Sequence, residues 1–115
     1  MKKVTLIIIG LCLITINTVA FAHPPQDIIL NFNAENKTLS IGVAHVVKDS
    51  NDHFIKSITI KLNGKAWITQ NFSSQMTLFA QAASYTTIDI KKGDLVEVTA
   101  TCNKTGSLKK DFTIQ

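Results

Sequence analysis

Strict two-residue alternation that runs straight into a turn signal is the feature that most limits what this chain can become. Ile58, Ile60 and Leu62 alternate with Ser57, Thr59 and Lys61, and Asn63-Gly64 follows at once. Alternation of that period places the apolar side chains on one face of a strand, and Asn-Gly suits the positive φ angles of a two-residue hairpin turn. Residues 54–62 and 65–72 therefore read as a β-hairpin. Residues 27–33 and 38–47 are rich in Ile, Leu, Val and Phe on either side of a polar Asn-Ala-Glu-Asn-Lys turn, and they read as the first two strands. In 95–102, Val96, Val98, Ala100 and Cys102 share one face while Glu97, Thr99 and Thr101 share the other. That strand is half buried, with Cys102 on its core side at its end. In 108–114, Leu108, Lys110, Phe112 and Ile114 alternate with Lys109, Asp111 and Thr113, which predicts a last strand with a mostly apolar inner face. Residues 76–84 fit a short helix or a strand, and the strand is preferred because 85–90 continues with Thr86, Thr87 and Ile88. About seven short strands with Gly or Asn turns predict an all-β chain, an immunoglobulin-like antiparallel β-sandwich.

The start of the chain has a different character. Residues 1–3 are short and basic, residues 4–16 are apolar almost without interruption, and Ala20-Phe21-Ala22 is a small-x-small cleavage site, which is the layout of a secretory signal peptide. Residues 1–22 are thus expected to be removed, leaving His23 at the head of one domain over 23–115. The mature protein is expected to be periplasmic or secreted, with no stable membrane insertion once the signal is gone. Its size suits a single modest core. The formal net charge of +4 overstates how basic the mature protein is, because two of the lysines leave with the signal and ten remain against eight acidic residues. There is no arginine and the lysines are scattered, so bidentate recognition of phosphate or base edges has nothing to work with, and nucleic acid is not an expected partner.

Removal of the signal also removes Cys12, so Cys102 has no partner within the chain. A free thiol in an oxidising compartment is exposed to oxidation or intermolecular pairing unless it is buried or bound to metal. Together with the three histidines, His23, His45 and His53, it makes a set of imidazole and thiolate donors of the kind that iron, copper and zinc take. His45 lies near the end of the second expected strand and His53 just before the third, with a polar loop over 46–52 between them. Cys102 ends its strand at the Asn103-Lys104-Thr105-Gly106 turn. Strand ends of this kind carry sites because the sheet holds them rigid. Spacing alone does not put both loops at one end of a sandwich. Trp67 reads as core, and the polar run 71–75 reads as a solvated loop.

His45, the intervening loop, His53-Phe54-Ile55-Lys56 leading into an alternating strand, and Cys102-Asn103-Lys104-Thr105-Gly106 together resemble the superoxide reductase domain of desulfoferrodoxin and neelaredoxin proteins. The resemblance implies an immunoglobulin-like sandwich holding a non-haem iron by four equatorial histidines and an axial cysteine thiolate, whose ferrous form reduces superoxide to hydrogen peroxide. On that pattern His45 and His53 match the family's paired histidines, with a loop two residues longer and Val46 where the family has proline. Cys102 matches the axial thiolate. Thr105 stands where the cysteine motif has its histidine, and His23-Pro24 matches the early histidine without the Glu-Lys pair that precedes it. Three histidines and one cysteine remain, a set that suits iron with additional water ligands, or four-coordinate zinc or copper. The resemblance with these departures implies metal binding in preference to superoxide turnover.

Two other readings use the same residues. A free α-amine and the ring of His23 would chelate one Cu(II), with His45 or His53 completing a histidine brace, provided cleavage follows Ala22. Alternatively the domain holds no metal and binds another protein through a sheet edge or loop face. A thiol enzyme built on Cys102 lacks any local oxyanion hole or orienting third group, and no glycine-rich loop that would cradle phosphate is present.

Overall fold

The computed structural model describes residues 22–115. The expected signal segment and Cys12 lie outside the described residues, apart from Ala22. Seven strands follow in order: β1 (Asp27–Asn33), β2 (Thr38–Ala44), β3 (Ile55–Leu62), β4 (Lys65–Asn71), β5 (Ala80–Thr86), β6 (Leu95–Cys102) and β7 (Ser107–Thr113). They form two antiparallel sheets, β1-β2-β5 and β4-β3-β6-β7, packed as a β-sandwich. As in an immunoglobulin sandwich, the first, second and fifth strands share one sheet and the third, sixth and seventh the other, but the fourth pairs with the third instead of the fifth.

The alternation in the sequence explains the core. Ile28, Leu39, Ile41 and Val43 from one sheet meet Ile55, Ile58, Ile60, Val96, Val98 and Ala100 from the other, all buried, with Ile90 and Ile114 closing the cluster. Trp67 is partly buried against it, as expected. Asn63 and Gly64 both take positive φ, 49° and 80°, as the β3–β4 turn requires. On β7, Leu108 and Phe112 lie against the core, while Lys110 is exposed and reaches from the edge to Asp27 Oδ1 at 2.9 Å.

Three strand boundaries differ from the sequence expectation by more than one residue. Residues 76–79 are not strand, because Thr77 Oγ1 accepts the N–H groups of Phe79 and Ala80 at 3.1 and 3.0 Å, and this side-chain turn takes the donors a ladder would need. The strand starts at Ala80 and stops at Thr86, since Thr87 Oγ1 accepts the Asp89 N–H and turns the chain again. β2 ends at Ala44, after which the His45 and Val47 N–H groups donate to Phe79 O and Leu78 O.

One irregularity of β3 bears on the site. Its register with β6 shifts between Ile55 and Ser57, so Ile55 pairs with Cys102 while Ser57 pairs with Thr101. This bulge leaves Lys56 exposed and lets Ile55 and Ile58 both face the core. The start of β3 and the end of β6 are thereby held side by side.

Candidate metal centre

Antiparallel pairing of β3 with β6 supplies the juxtaposition that spacing alone could not. His53 stands two residues before β3 and Cys102 is the last residue of β6, so both lie at one end of the four-stranded sheet. His45 follows β2 directly and comes from the opposite sheet. One ring nitrogen from each histidine and the Cys102 sulfur lie within 4.8 Å of one another. His53 Nε2 is 3.1 Å from Cys102 Sγ, and the His45 and His53 rings meet edge to face at 4.7 Å between centroids. An ion about 2.0–2.1 Å from imidazole nitrogen and about 2.3 Å from thiolate needs tetrahedral donors roughly 3.5 Å apart, so the widest separation in the group would have to close by about 1 Å to seat one.

Local turns set each donor. Around His53, Asp49 O accepts the Asp52 and His53 N–H groups and Asp49 Oδ1 accepts that of Asn51, closing the loop into a compact turn. Asn103 then clips that turn to Cys102. Its Oδ1 accepts the Phe54 N–H at 2.8 Å, its Nδ2 donates to Asp52 O at 2.9 Å, and its own N–H donates to Phe54 O. The residue after the cysteine thus holds both neighbours of His53. Cys102 is buried, and its sulfur accepts the Lys104 N–H at 3.4 Å, a donor that complements charge on a thiolate. Lys104 also pairs with Asp52 at 3.0 Å across the mouth of the site.

His23 is beside the cluster without belonging to it. Its ring centroid is 5.0 Å from that of His45 and 5.3 Å from that of His53, yet its Nε2 is 2.8 Å from Val46 O and its Nδ1 3.0 Å from Pro24 O. A neutral imidazole carries one N–H, so only one of these contacts is a hydrogen bond at a time. The segment that carries His23 packs closely on the cysteine turn, where a Cβ built on Gly106 would come within 2.8 Å of Pro24 Cβ. The four expected ligands are therefore a gathered group of three and one neighbour whose nitrogens face backbone carbonyls. A cavity of about 430 Å³ opens beside them, with His23, His53, Val46, Lys48, Asp52 and Lys104 in its lining.

Burial holds the His53 imidazole below its ordinary range, reinforced by the neighbouring His45 and His23 rings and by Lys104, with Asp52 opposing. That shift favours the neutral ring, which is the form that binds metal.

Gln75 corrects the expectation of a solvated 71–75 loop. It is buried, 4% exposed, with its amide among His45, Ile55 and Thr77. No local pattern marks it, because a single Gln at the end of a polar run looks like solvent-facing loop until the 72–79 segment folds over the core. No protein-family model matches this chain, and no curated protein matches it in sequence.

Proposed function

We propose that the protein is an exported metal-binding domain that holds one borderline-to-soft transition-metal ion through His45, His53 and Cys102. The observation that carries this reading is the convergence of two imidazoles and the cysteine sulfur within 4.8 Å at one end of the sandwich. Such a mixed nitrogen and sulfur set selects iron, copper or zinc over magnesium or calcium. The resemblance to superoxide reductases makes iron the first ion of interest. Thr105, exposed in the turn after Cys102, offers no imidazole where the resemblance asks for one. Binding without efficient superoxide turnover is the activity assigned.

The test is elemental analysis of protein purified from its own compartment, followed by titration of the metal-free protein with Fe(II), Cu(II) and Zn(II). One equivalent of metal, and a visible thiolate-to-iron absorption after oxidation of the iron form, are expected. Absence of stoichiometric binding, or His45→Ala and Cys102→Ala variants that titrate like the parent, would sink the reading.

A further inference from the structure

We infer that Gln75 is a positioning residue that fixes the tautomer of His45 and so decides which ring nitrogen is offered to a metal; the role in binding rests on the metal-binding reading above. The amide orientation of Gln75 follows from its partners. Its Nε2 is 2.7 Å from His45 O and 2.9 Å from Thr77 O, two atoms that only accept, so that end is the NH₂ group. The other end, Oε1, accepts the Ile55 N–H at 3.2 Å and lies 2.7 Å from His45 Nδ1. An amide oxygen cannot donate, so the proton between Gln75 and His45 belongs to Nδ1. The neutral ring then keeps its lone pair on Nε2.

Two further observations give this arrangement a ligand-directed sense. His45 is fully buried and Gln75 nearly so, which keeps water from competing for either ring nitrogen. With the proton on Nδ1, the Nε2 lone pair faces His23 O at 3.3 Å, two acceptors with no proton between them. A cation there relieves that contact. Histidines that bind metals commonly hand their second N–H to an oxygen acceptor, which fixes the ring and raises its basicity. Gln75 does this while also stapling the start of β3, the residue after β2 and the Thr77 turn.

The experiment uses the ¹⁵N-labelled, metal-free domain at pH 7.5 and reads imidazole tautomers from two-bond ¹H–¹⁵N correlations, with His23→Gln and His53→Gln assigning the signals. A single Nδ1–H tautomer is expected for His45. In Gln75→Met, which keeps the bulk and removes the acceptor, both tautomers are expected and Zn(II) affinity falls about 10–100-fold. A His45 in the parent that carries its proton on Nε2, or on both nitrogens, overturns the inference whether or not any variant folds. An unchanged tautomer in Gln75→Met overturns it as well. A parent that shows the Nδ1–H tautomer but binds no Zn(II) supports the hold of Gln75 on the ring and overturns the metal reading instead.

Discussion

His53 Nε2 and Cys102 Sγ, 49 positions apart in the chain, lie 3.1 Å from each other because β3 and β6 run antiparallel and Asn103 clips the two loop ends together. The imidazole and the sulfur are placed by the β3–β6 ladder and by the Asn103 side chain, so folding alone brings the pair together. Such preorganisation reduces the ordering cost of binding.

Replacing the sulfur tests the pair directly. Cys102→Ser keeps the size and a polar atom but loses the soft donor. With Co(II) as a spectroscopic stand-in, the parent is expected to show an intense near-ultraviolet thiolate charge-transfer band that the variant lacks. Affinity for Zn(II), measured by chelator competition, should fall at least about 10-fold, since thiolate is among the preferred ligands of that ion. An unchanged band would place the thiolate outside the metal's ligands.

Asn103→Ala removes two side-chain bonds that flank His53 while leaving both donors intact. A lost hydrogen bond of this kind costs about 0.5–1.5 kcal/mol, and Asn103 is partly buried, so a total near 1–3 kcal/mol is expected in urea unfolding. Metal affinity should fall as well, because His53 is held less firmly beside Cys102, with the Asn103 N–H to Phe54 O bond and the β3–β6 pairing left to fix it. If unfolding stability drops and affinity does not, the clip serves the fold alone.

Gly106 separates backbone strain from contact. Both Gly106 and Gly64 have positive φ, 73° and 80°, but a Cβ at Gly64 meets nothing within 4 Å whereas one at Gly106 strikes Pro24. Gly64→Ala should therefore cost about 1–2 kcal/mol for the left-handed backbone alone. Gly106→Ala is expected to cost more and to push the segment bearing His23 off the cysteine turn. The checks are the difference between the two unfolding free energies and the loss of His23 ring shifts in the NMR spectrum.

The sequence made the architecture readable where side chains alternate in step with the strand: β3, β4 and β6 have strong local patterns, and Asn63-Gly64 marks its own turn. It was least readable over residues 75–79. There the outcome depends on Thr77 Oγ1 capturing backbone donors and on Gln75 being drawn under the loop, both of which are tertiary effects without a period. The candidate donors were visible as residue types, and their grouping came only as an implication of the resemblance, since spacing did not bring the two loops together. Convergence of His53 with Cys102 follows from which strands pair, and the inclusion of His45 follows from how the second sheet lies over the first.

Acid should weaken the end of the sandwich remote from the donor cluster through Asp94. Its carboxylate accepts the Lys91 N–H and the Asn63 Nδ2–H and pairs with Lys91 Nζ, and Asn63 Oδ1 in turn accepts the Leu95 N–H, so it joins the β3–β4 turn to the start of β6. The Lys91 N–H first and then the Asn63 amide hold this carboxyl below its ordinary value of 3.8; burial opposes them, and the Lys91 ammonium adds a smaller lowering effect. A carboxyl lowered in the folded state binds fewer protons there than in the unfolded chain, so its contribution is complete above that ordinary value and is lost as pH falls through the folded value. Asp94→Asn should accordingly lower the melting temperature at pH 7 and bring the variant and parent closer together below pH about 3.8. Melting curves of both proteins across the acid range check this, and a gap that stays constant with pH would show that the charge on Asp94 contributes nothing to stability.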